Sequence, residues 1–194
     1  MMPDAADGTI SREGERFVIR FERRFPSPIE EVWAALTRPE RLTQWVGATE
    51  VELELVEGGK MVTRTTGPQE LVDAIIAEAG PEALETRDTV LRVEPPRVFE
   101  HTFGGAPDSV VRWELEPVGG GCLLRLAHTE PAGFEPKHGP RDLAGWHELL
   151  ELLALALQEP ARQPRAHLSR AEDDVHVIRH DRLPPNLRLP LRSR

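Results

Sequence analysis

The sequence predicts an α+β domain in which a curved antiparallel sheet wraps a long C-terminal helix, with two short helices after the first strand. Two observations carry this reading. Short segments that alternate apolar and polar residues recur between glycine or proline turns, the pattern of antiparallel strands joined by tight connections. Near the C-terminal end, Leu143, Trp146, Leu149, Leu150, Leu153 and Leu157 fall three or four apart, a wide helical stripe that needs an apolar partner. The concave face of the sheet is the one surface large enough to supply it.

Taken in order, Phe17, Ile19 and Phe21 alternate with Val18, Arg20 and Glu22 in a first strand that Pro26-Ser27-Pro28 stops. A short helix follows, with Ser27 as its cap, Pro28 in its first turn, and Glu30 and Glu31 at the positive end of its dipole. Ile29, Val32, Trp33 and Leu36 share one face of it. A second short helix runs from Pro39 to Gln44 and turns Leu42 and Trp45 inward. Strands are then expected at residues 50–55, 60–66, 89–94, 97–103, 109–116 and 122–129, punctuated by Gly58-Gly59, Pro95-Pro96, Gly104-Gly105 and Gly119-Gly120-Gly121. Residues 68–79 interrupt the meander with Leu71, Val72, Ile75, Ile76 and Ala79 at helical spacing and Gly80 as C-cap. This helix serves either as a lid over a cavity mouth or as an outer insertion. The last helix opens at Gly139-Pro140 and closes at Pro160. Gly145 within it costs about 1 kcal/mol relative to alanine, which suggests a close approach of backbone or ligand.

Charge is unevenly distributed over the 194 residues. The net value is −9, yet residues 160–194 hold eight arginines against four acids and sit at +4, leaving −13 on the remainder. So acidic a body repels phosphate backbones, and no nucleic-acid partner is expected. The basic segment also holds five prolines. It reads as a partly ordered or disordered appendage, in which residues 175–178 could form a short strand and the arginines could grip a protein partner. The domain organisation expected is a flexible N-terminus over 1–13, the folded domain over 14–159 with a helical insertion at 67–87, and this tail. The lone Cys122 excludes an intramolecular disulfide and a cysteine-rich zinc site. No segment is long and apolar enough to span a bilayer, and the acidic start lacks a hydrophobic leader. A cytoplasmic protein without a membrane partner is expected.

Strand parity picks out what can face a pocket between sheet and helix. Phe99, His101 and Phe103 form one row, Val111, Trp113 and Leu115 a second, and Cys122, Leu124, Leu126 and His128 a third. Trp146 and Leu150 face them from the helix. Glu52, Glu54, Arg112, Glu114, Glu116 and Arg125 point to solvent. The candidate ligand-binding residues are Phe99, His101, Phe103, Val111, Trp113, Leu124, Leu126, His128, Trp146 and Leu150, an apolar lining with two histidines. His101 and His128 are either polar anchors or general bases, or else rings satisfied within the fold. His147 meets the pocket or the surface, and His138 sits in a loop. No histidine pair has the spacing that fixes two metal ligands, and no metal or cofactor is expected. Ser109 beside Asp108 reads as a turn rather than a nucleophile, since no nucleophile-elbow motif surrounds it. Cys122 reads as a small core residue.

Several motifs occur in an order that resembles a known family. Arg24-Phe25-Pro26-Ser27-Pro28 with Val32-Trp33, then Thr37-Arg38-Pro39-Glu40 and Trp45, form its opening. Gly58-Gly59-Lys60, Val93-Glu94-Pro95-Pro96-Arg97, Gly120-Gly121 through Leu124, Leu126 and His128, and Gly145-Trp146 continue it. The series is similar to homologues of the activator of the heat-shock-protein-90 ATPase, a branch of the START and birch-allergen-like helix-grip superfamily, over residues 16–158. Two departures stand out. The helical segment 67–87 replaces what is usually a short turn, and Val46 replaces a second tryptophan often found after Trp45.

The resemblance implies the helix-grip fold. Together with the apolar lining it favours non-catalytic binding of a hydrophobic or aromatic small molecule. Two alternatives stay open: an enzyme of the polyketide cyclase or dehydratase kind using a pocket histidine, and a chaperone-associated interaction module.

Overall fold

The computed structural model describes residues 8–158, apart from the side chains of Leu71, Glu78 and Ala79. Residues 1–7 and 159–194, which include the basic segment and the candidate strand at 175–178, lie outside the described residues.

Eight strands form one antiparallel sheet: β1 (Thr9–Glu13), β2 (Arg16–Phe25), β3 (Glu50–Leu53), β4 (Lys60–Arg64), β5 (Glu85–Glu94), β6 (Val98–Phe103), β7 (Ala106–Val118) and β8 (Gly121–Thr129). Their spatial order is β1-β2-β8-β7-β6-β5-β4-β3, so β3 to β8 make a meander and β2 closes onto β8. Two short helices, α1 (Ile29–Thr37) and α2 (Pro39–Leu42), connect β2 to β3, while α3 (Gln69–Ala79) lies between β4 and β5. The long helix α4 (Gly139–Gln158) ends the described chain. This is the α+β helix-grip layout that the sequence predicts.

The expectation of a flexible stretch over 1–13 is corrected at its C-terminal end. Thr9–Glu13 pairs residue for residue with Arg16–Arg20 of β2. Gly14, at φ 61°, makes the tight turn, and Arg20 holds Glu13 across the pair. Only Ile10 is apolar in this strand, so periodicity did not reveal it. The cap of α1 also differs. The helix starts one residue after Pro28, and no side chain caps it, so Ser27 does not perform the role assigned to it.

The core lies between the concave sheet face, α1 and α4. Ile19, Phe21 and Phe25 of β2 share one face with Val111, Trp113 and Leu115 of β7 and with Cys122, Leu124 and Leu126 of β8, all buried. Trp146, Leu150, Leu153, Ala154 and Ala156 bury the facing stripe of α4. Arg41 of α2 sends Nη2 to the Ala156 carbonyl at 3.3 Å, a cation at the negative end of the α4 dipole. The convex face is a ladder of ion pairs. Arg112 meets Glu100 at 2.9 Å and Glu114 at 2.7 Å, and Arg125 meets Glu22 at 3.0 Å and Glu116 at 2.9 Å. Each exposed pair contributes little to stability, about 0–1 kcal/mol, but together they keep this face wet.

Gly145 has no close neighbour. It is exposed, and a Cβ there would meet nothing within 4 Å, so the close approach expected from the sequence does not exist. No described helix is long and apolar enough to cross a membrane.

Candidate functional site

A pocket of about 190 Å³ opens between the α1–α2 connection, strands β4 to β6 and the middle of α4. Trp45, Phe99, His101, Phe103, Trp113 and Trp146 give it an aromatic wall. Trp45 stands edge-on to Trp113 at 5.8 Å and Trp113 edge-on to Trp146 at 5.7 Å, while Phe103 lies 5.1 Å from Trp146. Such offset and edge-to-face contacts hold each ring in place. Leu36, Leu42, Met61 and Leu149 fill the remaining apolar wall, and Thr63, Thr86 and Asp88 form its polar side.

The two candidate histidines are locked by tryptophans. The Trp113 indole N–H donates to His101 Nε2 at 3.3 Å, so the ring proton sits on Nδ1 and is given to the Thr102 carbonyl at 2.6 Å. The Trp146 indole N–H donates to His128 Nδ1 at 3.0 Å, and His128 Nε2–H is given to Ser109 Oγ at 2.9 Å. Both rings are therefore neutral with both nitrogens engaged. Burial pushes His101 below its usual range and takes His128 down to about 4.

Ser109, His128 and Glu130 stand in the order of nucleophile, base and acid, with Glu130 Oε1 3.4 Å from His128 Nδ1. The chemistry of a triad is nonetheless absent. Trp146 occupies the nitrogen that the acid would need, and burial, with Asp142 adding to it, pushes the Glu130 carboxyl up to about 7. None of the three lines the pocket. Ser109 itself lies within β7 rather than in a turn, buried on its strand.

Of the ten candidate residues, Phe99, His101, Phe103, Trp113 and Trp146 line the pocket. Val111, Leu124, Leu126, His128 and Leu150 do not; they are buried in the core, where α1 lies against β7 and β8 and Trp146 of α4 reaches Trp113 and His128. The free volume is displaced toward β4 and β5. His147 meets Arg23 instead of the pocket: the Arg23 Nη2 donates to its Nδ1 at 3.0 Å. Arg23 continues the inward parity of Ile19 and Phe21, with its guanidinium 5.1 Å from the Phe21 ring. No described side chain of α3 lines the pocket; the helix packs mainly on the 3-10 turn Pro81–Leu84 that follows it. Cys122 is buried, and burial pushes its thiol up to about 11, far from a reactive thiolate. Among the described residues, no three His, Cys, Asp or Glu side chains converge in a way that could hold a metal ion.

A family model described as activator of Hsp90 ATPase homolog 1-like protein matches residues 26–158, from the start of the α1 connection to the end of α4. The chain belongs to this family. The match contains every residue that lines the pocket. No curated protein matches.

Solved structures of the same fold are similar to it. CalU16 of Micromonospora echinospora, in its solution structure, is 26% identical with a TM-score of 0.56, covering 81% of this chain and 78% of that one. A Rhodobacter sphaeroides protein is 25% identical with a TM-score of 0.56, covering 77% and 97%. A Nitrosomonas europaea protein is 19% identical with a TM-score of 0.61, covering 76% and 97%.

Within this activator of Hsp90 ATPase homolog 1-like domain, the polar side of the pocket was missed from sequence. Thr86 and Asp88 precede the stretch in which β5 is recognisable by its apolar residues. Thr63 reads as the polar member of a strand rather than as lining. The signal was parity: Asp88 shares the face of Val90, and Thr63 that of Met61.

Proposed function

We propose that this domain binds a small hydrophobic or aromatic molecule in the pocket between the sheet and α4, without catalysing a reaction. The observation that carries the reading is the set of six aromatic rings that converge on an unfilled volume, three of them tryptophans whose N–H groups are already satisfied within the protein. Such a wall binds by desolvation and ring contacts. The volume of about 190 Å³ compares with the roughly 150 Å³ apolar cavity that accepts benzene, so the fitting ligand is on the order of one ring with small substituents.

The enzyme reading, a cyclase or dehydratase using His101 or His128, needs a ring nitrogen that reaches substrate. Both nitrogens of each ring are committed to protein partners, and His128 is screened from the pocket by Trp146. A chaperone-associated role rests on the family description alone. The remainder of the proposal is a cytoplasmic location, consistent with a single buried cysteine, and a protein contact through the arginines of 160–194.

The test is direct. Native mass spectrometry of freshly purified protein should reveal a co-purifying small molecule, or toluene titration should shift both the melting temperature and the tryptophan emission. Trp113→Phe should weaken that response while leaving the far-UV spectrum unchanged. Absence of any bound species and of any response to single-ring aromatics would sink the reading.

A further inference from the structure

The polar side of the pocket has a chemical sense. Its side-chain donors are the indoles of Trp45, Trp113 and Trp146, the His101 ring, and the hydroxyls of Thr63 and Thr86. Trp45 donates to the Ala35 carbonyl at 3.0 Å, Trp113 to His101, Trp146 to His128, and His101 to Thr102. The Thr63 and Thr86 hydroxyls share one hydrogen bond at 2.7 Å, and the Thr86 hydroxyl stands 3.5 Å from Asp88 Oδ2. Every ring N–H in the wall is thus used by the protein itself.

The acceptors are not. Asp88 is buried, at 6% exposure, and is the one charged side chain among the lining residues. Its Oδ1 is fully engaged, taking the Thr102 hydroxyl at 3.2 Å and the Gly105 N–H at 3.0 Å. Its Oδ2 has only the long contact from Thr86, near the limit of a hydrogen bond. A buried carboxylate oxygen with spare lone pairs costs free energy unless a donor meets it. Gly104 and Gly105, at φ 68° and 75°, form the β6–β7 turn that brings the Gly105 N–H to the carboxylate, so the backbone is shaped to hold this side chain in place.

We propose that the pocket selects single-ring aromatic molecules carrying a hydrogen-bond donor, a phenolic hydroxyl or an amine, which Asp88 Oδ2 accepts, and that it rejects aromatic carboxylates. This rests on the small-molecule reading above. Rejection has two sources. A ligand carboxylate would meet Asp88 in a low-dielectric wall that offers it no free ring N–H, and it would approach a body whose first 159 residues carry −13. A cationic amine gains on both counts, and stacking of its ring edge against Phe99 and Trp113 needs no further polar partner.

The experiment is calorimetric titration of the full chain with four probes of similar size: toluene, phenol, benzylamine and benzoate. Phenol and benzylamine should bind at least about ten-fold more tightly than toluene, the ratio expected when a buried charged acceptor is satisfied, and benzoate should not bind. Asp88→Asn should remove most of the benzylamine advantage, read as the ratio of benzylamine to toluene affinity in the same variant. The probe series on the unaltered protein decides the matter even if that variant does not fold. Equal affinity for toluene, phenol and benzylamine, or binding of benzoate, overturns the selectivity while toluene binding keeps the pocket reading alive. Silence from all four probes overturns both.

Discussion

The Trp146 indole N–H reaches His128 Nδ1 at 3.0 Å and thereby ties α4 to β8 by a buried hydrogen bond. Both partners are nearly inaccessible, at 5% and 4% exposure, so neither can exchange the bond for water. Trp146→Phe keeps the ring packing against Trp113 and Phe103 but leaves a buried imidazole nitrogen without its donor. The expected cost is about 1–3 kcal/mol, read from urea denaturation. The bond also favours the neutral ring. The His128 titration midpoint, about 4 in the intact protein, should therefore rise in the variant when followed by NMR. A midpoint that stays put would show that burial alone sets it.

Glu130 gives the opposite pH dependence. Its folded value, about 7, lies above the usual 4.5, so the folded protein holds this proton more tightly than the unfolded chain. That contribution is complete below about pH 4.5 and is lost as pH rises toward 7, at about 1.4 kcal/mol per unit of separation. His128 and His101, both depressed, work the other way: their contribution is complete above about 6.5 and is lost as pH falls. Glu130→Gln removes only the first effect. The variant should gain stability relative to the parent between pH 5 and pH 8, measured as urea midpoints at each pH. A difference independent of pH would rule out a buried, protonated Glu130.

Much of this fold was legible because its strands alternate cleanly. Phe99, His101, Trp113 and Leu124 each point inward as their parity requires, and α4 buries the stripe that its leucines and Trp146 define. The pocket was harder to place. Parity tells which face a residue takes but not where along a curved sheet the opposing helices fill the space, and over Val111, Leu124 and Leu126 that space is filled. Polar lining is also invisible to a hydrophobic pattern. Asp88 looks like a solvent residue in sequence until Thr102 and the Gly105 N–H are brought to it from β6 and the turn beyond. β1 escaped because an edge strand needs only backbone pairing and one apolar residue.

Gly145 offers a stabilising change. The residue is exposed in the interior of α4, and an added Cβ meets nothing within 4 Å. Gly145→Ala should raise stability by up to about 1 kcal/mol through helix propensity and reduced freedom of the unfolded chain. Thermal unfolding measures it, and pocket occupancy should not change, because the residue lies outside the lining. A destabilised variant would show that position 145 is not open space.

Val46 is where the pocket can be closed without touching its polar side. It is half-buried, lines the volume from the α2–β3 connection, and has the flexible neighbour Gly47 at φ 79° behind it. Val46→Trp adds a ring beside Trp45, and a volume of about 190 Å³ is small enough for one indole to take up much of it. Because the new ring replaces empty space rather than atoms, the fold should be preserved or slightly stabilised, whereas overpacking a filled core typically costs about 1–3 kcal/mol. Phenol and toluene affinity should fall by about ten-fold or more, an amount equal to about 1.4 kcal/mol. Calorimetry and thermal melts on the same sample separate the two effects. Lost binding with an intact melt locates the ligand between α4 and β4–β6, and unchanged binding with an intact melt places it elsewhere on the domain.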